Sequence, residues 1–327
     1  MKRLDAYWYS NNAVAQWLRP IAFVYCCLVV VRRTLYKLRL LSVYRPPVPV
    51  IVVGNMTVGG TGKTPLVIWL VKQLLKEGYS PGVVSRGYGG QARSWPQQVR
   101  PDSDPRTVGD EAVIIARQLA VPMAVGPKRA HAARALLEKS QIDVLVSDDG
   151  MQHYALGRDI EIAVVDGVRR FGNKHCLPAG PLREPLWRLR TADHIVVKGL
   201  AGQGEVAMSY TQGRITNLQD SSKTITWEEL QRTPVHLVAG IGHPKHFFEQ
   251  VSQKGIESIE HSFDDHHSFE SEDLNFGDEY PVLMTEKDAI KCRAFASENQ
   301  WYLPIEADVD EKLAVAVLKQ IKERKRG

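Results

Sequence analysis

Cysteine is scarce and scattered in this chain: Cys26, Cys27, Cys176 and Cys292 are its four, and only the first two are adjacent. That spacing supplies neither a zinc-ligand pattern nor a disulfide framework, and it fits a reduced, cytosolic setting. Long low-complexity runs and internal repeats are also missing, which sets aside solenoid and disordered classes. No apolar run reaches membrane-spanning length. The longest uninterrupted one, residues 20–31, covers about 12 residues where a spanning helix needs roughly 20. No small-residue cleavage site of a signal peptide follows it, only Arg32-Arg33. Positive charge is not spread over the chain. Residues 1–45 hold Lys2, Arg3, Arg19, Arg32, Arg33, Lys37, Arg39 and Arg45 against Asp5 alone, while the whole chain carries only +5. Outside this arm the chain is therefore near balance, which argues against a nucleic-acid partner.

What the arm does have is apolar and aromatic surface. Residues 13–31 are mostly hydrophobic, interrupted by Gln16, Arg19 and Pro20. Tyr7, Trp8, Tyr9 and Trp17 suit a headgroup region, and the basic cluster suits anionic lipid. The expectation is a monotopic helix in or on the cytoplasmic leaflet. A core helix of a soluble domain and a true membrane span are the alternatives.

The most informative segment runs Val52-Val53-Gly54-Asn55-Met56-Thr57-Val58-Gly59-Gly60-Thr61-Gly62-Lys63-Thr64. A hydrophobic strand enters a glycine-rich turn, and Gly-Lys-Thr opens a helical stretch, the layout of a phosphate-binding P-loop. Thr57, Val58, Gly59, Gly60, Thr61, Gly62, Lys63 and Thr64 would form the cradle. Its backbone N–H groups and the following helix's positive end would surround a polyphosphate. Lys63 would reach the β/γ-phosphates and the Thr64 hydroxyl would ligate Mg²⁺. Pro65 is tolerated in a first helical turn. Thr57 stands where the strict pattern has glycine.

At 327 residues the chain can bury a sizeable core and hold two domains. Apolar runs alternating with helical stretches predict an α/β fold with a doubly wound, mostly parallel sheet. Expected strands are residues 48–53, 82–85, 121–125, 143–147, 160–166 and 194–197; expected helices are 64–77, 110–119 and 128–139. Residues 206–210 and 214–218 read as a hairpin between domains. A smaller α/β unit follows, with strands at 235–239 and 282–285, a helix at 246–254, and an amphipathic helix at 310–322 bearing Leu313, Val317, Leu318 and Ile321 for packing. The division is thus an N-terminal amphipathic membrane-associated helix (1–45), a P-loop domain (46–204), a β-hairpin linker (205–232) and a smaller α/β domain (233–327).

Several segments carry titratable groups at positions suited to chemistry. The strand ending Ser147-Asp148-Asp149 would bring a carboxylate beside the P-loop to hold Mg²⁺; inspection does not decide between the two acids. Thr107-Val108-Gly109-Asp110-Glu111 opens a helix, where Asp110 is either a capping acid favoured by the dipole or a base for an acceptor hydroxyl. Phe263-Asp264-Asp265-His266-His267-Ser268-Phe269 reads as a metal site, an Asp-supported His, or a polar surface loop. Ser85-Arg86-Gly87-Tyr88-Gly89-Gly90 is a lid or an ordinary turn. Leu177-Pro178-Ala179-Gly180-Pro181-Leu182-Arg183-Glu184-Pro185 reads as a stiff connection.

Taken in order, GNxTVGGTGKTP, SRGYGG, VGDEA, GPKR, SDDGMQHY, DGxRRFGN, LPAGPLREP, AGIGHPKHFF, FDDHHSF and LMTEKDAIKC resemble the tetraacyldisaccharide 4′-kinase family of lipid A biosynthesis over nearly the whole chain. That family also has threonine at the position of Thr57. The resemblance implies transfer of the ATP γ-phosphate to the 4′-hydroxyl of a tetraacylated glucosamine disaccharide 1-phosphate, with Mg²⁺, on the cytoplasmic face of the bacterial inner membrane. It makes Asp110 and Lys63 catalytic, with His266, ahead of His267, as Asp110's partner. Arg129 would help neutralise charge, and Arg169, Arg170 and Arg183 are candidates for the substrate's 1-phosphate. A rival class is a membrane-associated nucleotide switch or metallochaperone, which needs no acceptor lipid.

Overall fold

The computed structural model describes residues 7–10, 12–265 and 267–324. A single helix, Ala13–Lys37, opens the fold. Asn12 caps it by accepting a hydrogen bond from the Ala15 N–H, and Lys37 complements its C-terminal end. Pro20 sits inside the helix without ending it, so the apolar segment is longer than the uninterrupted run predicts. At 25 residues it is long and apolar enough to cross a membrane, by length and composition. Only Ala15 and Ala22 are buried, whereas Trp17 is 84% and Phe23 70% exposed. That exposure is the opposite of a core helix's.

The next strands build the large sheet: β1 (Val50–Asn55), β2 (Pro81–Ser85), β3 (Gln97–Val99), β4 (Met123–Val125), β5 (Val144–Ser147), β6 (Ile160–Asp166), β7 (His194–Lys198) and β8 (Val206–Gln212). All six residues of β1 are buried, as a parallel strand covered on both faces requires. It lies between β5 and β6, parallel to each, so the P-loop leaves the sheet beside the end of β5. This is the carboxyl edge of an open α/β sheet, where such sheets place ligands.

The chain then forms a second sheet from β9 (Ile215–Asn217), β10 (Thr224–Ile225), β11 (Val235–Ala239), β12 (Ser258–Ser262), β13 (Val282–Thr285) and β14 (Gln300–Leu303), ordered β10-β9-β14-β13-β11-β12. It returns to the first sheet as β15 (Ile305–Val309), antiparallel to β8, giving the order β15-β8-β7-β6-β1-β5-β2-β4-β3. Most strands match the sequence expectation with shifted ends; β3, β10, β12, β14 and β15 lack a legible pattern.

One expected pairing is corrected. Residues 206–210 and 214–218 do not form a hairpin: β8 pairs with β7 and β15, and β9 with β10 and β14. A two-residue hairpin turn needs positive φ. Gly213 does not adopt it, and its N–H instead bonds the Pro304 carbonyl at 2.9 Å. The ribbon between the sheets is therefore β8 with β15. The closing helix Lys312–Arg324 also belongs with the large sheet: Leu313, Val317 and Ile321 pack with Leu66, Leu70 and Leu74 of the P-loop helix Lys63–Lys76. The opposite face of the sheet is covered by helix Arg129–Lys139 through Ala132, Ala133 and Leu136.

Candidate active site

The P-loop spans β1 and the helix Lys63–Lys76. Gly62 caps that helix with φ 89°, and a Cβ there would lie 2.0 Å from the Tyr210 hydroxyl oxygen. Glycine is required twice over, by the left-handed backbone and by Tyr210. No side chain caps the helix, so its first N–H groups stay available to an anion. Asn55 donates through Nδ2 to the Gly59 carbonyl at 3.3 Å and braces the turn.

Thr57 has a physical explanation. It is 7% exposed and forms an antiparallel bridge with Leu182, flanked by Val58 N–H to Pro181 O (2.9 Å) and Arg183 N–H to Met56 O (2.7 Å). The loop start is thus a short strand, where threonine suits better than glycine. The LPAGPLREP segment consequently forms one wall of the P-loop, rather than only a stiff connection.

Behind the loop, the end of β5 brings up two acids with different surroundings. Asp149 adopts φ 47° and lies 3.5 Å from Lys63 Nζ and 3.0 Å from Arg183 Nη1. Burial alone would raise its pKa, but Lys63 and Arg183 together hold the carboxyl below the usual range. Asp148 is fully buried; Ser85 Oγ donates to one carboxylate oxygen at 3.0 Å, and the other has no hydrogen-bond partner among the described residues. Burial, then the charges of Glu111 and Asp149, pushes Asp148 up to about 7. Thr61 Oγ1, Asn55 Oδ1 and Ser147 Oγ are likewise buried without partners among the described residues. Native proteins rarely leave such atoms unpaired, and their clustering around a P-loop fits a bound polar ligand.

Arg129 lies beneath the acids at 1% exposure. It donates to the carbonyls of Gly126 (2.8 Å), Asp148 (3.3 Å) and Asp149 (3.4 Å), and burial lowers it to about 10. Burial and Arg129 push His153 down to about 3, so its ring is neutral at neutral pH.

The Asp110 turn reaches the same edge. Glu111 acts electrostatically on Asp148, which places the GDE turn at the β5 carboxyl end. Gly109 has φ 93°, and a Cβ there would lie 2.3 Å from the Tyr88 carbonyl oxygen. Gln91 N–H donates to Arg106 O at 2.9 Å. The SRGYGG loop therefore packs on the GDE turn as its brace.

Other candidates separate. Arg183 belongs to Asp149, and Arg170 forms a bidentate pair with Glu205 at 2.8 and 2.9 Å. Arg169 is exposed and meets the His243 ring from the small sheet's AGIGHP loop. His266 lies outside the described residues. Its neighbour His267 pairs with Asp273 at 2.9 Å and packs edge-on against Phe269, and Asp265 meets Lys287 at 3.5 Å.

Sequence reasoning missed a buried network under this wall. Glu184 (1% exposed) accepts from the Tyr154 hydroxyl and faces Arg188 at 3.5 Å; Arg188 also binds Glu161, which Arg158 meets at 2.8 Å. The available signal was charged Arg183-Glu184 enclosed by prolines. The N-terminal helix docks on the same wall: Tyr25 donates to Arg183 O at 3.1 Å, and Trp8 Nε1, from the segment before the helix, donates to Pro178 O at 3.0 Å.

The family described as tetraacyldisaccharide-1-P 4′-kinase matches residues 14–322. A tetraacyldisaccharide 4′-kinase from Nitrosococcus oceani is 52% identical over 95% of this chain and 92% of its own. One from Methylobacillus flagellatus is 45% identical over 97% and 95%. A crystal structure of LpxK from Aquifex aeolicus in complex with ATP superposes with a TM-score of 0.81 at 28% identity, covering 94% of this chain and 99% of that one.

Proposed function

The chain belongs to the tetraacyldisaccharide 4′-kinase family, and from that premise we propose that it moves the γ-phosphoryl group of ATP to the 4′-hydroxyl of an acylated glucosamine disaccharide 1-phosphate. The observation that carries this reading is the convergence of Lys63, Asp149 and the unpartnered Asp148 oxygen behind an uncapped helix start. Lys63 leaves Asp149 for the β/γ-phosphates when nucleotide enters. Thr64 and Asp148 fit Mg²⁺, because a small hard cation takes few protein oxygens beside phosphate and water; bound there it would offset charge on the transferring phosphoryl. Asp149, already committed to Lys63 and Arg183, suits the metal less.

Asp110 accepts the proton of the 4′-hydroxyl as its oxygen bonds to γ-phosphorus, while the β–γ bridging P–O bond breaks and ADP departs. By the family resemblance, His266 would orient that carboxylate. The exposed apolar face of Ala13–Lys37 meets the cytoplasmic leaflet, where the acyl chains of the acceptor remain. Its middle docks on the wall of the P-loop through Tyr25, so the lipid surface and the nucleotide share one scaffold. ADP release measured with Mg²⁺-ATP in detergent should rise steeply on adding the acylated disaccharide 1-phosphate. Turnover indifferent to that lipid would favour a nucleotide switch.

A further inference from the structure

The TEKD segment ending β13 makes a contact that the chemistry above does not use. Thr285 caps the helix Glu286–Cys292 and donates to buried Asp288, whose carboxylate also accepts from the Gly240 N–H at 3.0 Å. Lys287 meets Asp265 of the FDDHHSF loop at 3.5 Å. These residues bind the small sheet's own loops to one another. Glu286 points the other way, accepting from Gln118 Nε2 at 2.7 Å. Gln118 is the last residue of the helix Asp110–Gln118, whose first residue is Asp110.

The surroundings place this bond at the joint between the sheets. The Ile305 N–H, where β15 begins, also donates to Glu286. Lys72 of the P-loop helix and Glu306 of β15 face it and pair with each other at 3.5 Å, and Tyr302 of β14 lies within its field. A cleft of about 930 Å³ opens beside it, bordered by Lys72, Gln118, Arg214, Trp227 and Tyr302. Across this open joint, Glu286 links the small sheet to the far end of the Asp110 helix. A helix of nine residues is short and stiff, so displacing its C-terminal end displaces its N-terminal end.

We propose that Glu286 is a positioning residue for phosphoryl transfer, holding the Asp110 helix in register with the small sheet through its bond to Gln118; this rests on the reading of Asp110 as base. A misplacement on the order of 1 Å far from the chemistry is enough to cost about 10²-fold in rate. Because Gln118 acts through the one bond it shares with Glu286, its effect must be non-additive with that of Glu286. Burial raises the Glu286 carboxyl to about 7, so the strength of the joint also depends on pH.

The test compares E286A, Q118A, the double variant and the exchanged pair E286Q/Q118E in full-length protein, with kcat, the KM for ATP and Tm measured for each. Each single variant should lower kcat about tenfold with the KM for ATP within about twofold, and the double should be no worse than E286A. The exchanged pair, which rebuilds an amide–carboxylate bond, should recover most of kcat. Unchanged kcat in folded E286A or Q118A, additive losses, or an exchanged pair that folds without recovery would overturn the proposal. D110N separates the two claims. Full turnover in D110N breaks the base reading, whereas an inactive D110N beside an unimpaired E286A breaks the positioning role alone.

Discussion

The two sheets present their chemistry in opposite ways. At the carboxyl edge of the large sheet, Asp148, Arg129 and Thr61 are buried, and several of their polar atoms lack partners. On the small sheet, His243, Asp264 and Asp265 are exposed, and the FDDHHSF loop is held by ring contacts among Phe263, His267 and Phe269. A buried charge costs desolvation free energy that the fold must offset elsewhere, so groups kept buried and unpaired await a ligand that matches them. The nucleotide half is preorganised in this sense. In the proposed reading the small sheet is the acceptor half, and its openness suits a site that completes itself on a bulky lipid.

Breaking either half should give different signatures. The largest effect is expected from Asp110→Asn, which should lower kcat by roughly 10²–10⁴-fold with ATP affinity nearly intact; parallel loss of ATP binding would reassign Asp110 to helix capping. On the preorganised side, Gly62→Ala forces Cβ into Tyr210 at positive φ, and ATP affinity measured by calorimetry should fall about tenfold. Adding Tyr210→Phe should recover part of that loss, and no recovery would place the whole cost in the backbone. Arg188→Ala leaves Glu184 buried without its cation and Glu161 with Arg158 alone. Thermal and denaturant unfolding should then show a loss of about 3–5 kcal/mol.

A smaller effect tests the joint between the sheets. The folded pKa of Glu286, about 7, exceeds its unfolded value. Its contribution to stability is therefore fully present below the unfolded pKa and is lost as pH rises through about 7. Glu286→Gln should flatten Tm against pH in that window, and an unchanged profile would assign the dependence to another group. The smallest change in turnover is expected from Trp17→Ser with Phe23→Ser, both highly exposed. In detergent this double variant should keep its kcat, while co-sedimentation with anionic vesicles drops; retention on vesicles would move the membrane contact elsewhere.

Much of the large sheet was legible because β1 and β5 are apolar runs, and β6 is one but for Glu161, each closing at or next to a glycine or acid, a local signal. The P-loop and its Lys63 were legible for the same reason. The ribbon was not. Its partner strands β8 and β15 are about ninety residues apart, and pairing at that range leaves no local pattern. Thr57 looked like a flaw because its bridge partner, Leu182, is equally remote in sequence. The choice between Asp148 and Asp149 was closed to inspection, since the two differ in what surrounds them: Lys63 and Arg183 for one, Ser85 and an empty side for the other. Pro20 suggested an interruption, yet the helix continues through it, with Cys26 and Tyr25 seated against the Cys176 and Arg183 wall.

The most direct measurement is to supply γ-labelled ATP and Mg²⁺ with the acylated disaccharide 1-phosphate and locate the label by tandem mass spectrometry of the lipid. The expected product is a bis-phosphorylated disaccharide with the labelled phosphate on the 4′-oxygen and the original 1-phosphate unlabelled. Label at the 1-position, or label found only in free phosphate, would contradict a kinase acting on the sugar hydroxyl.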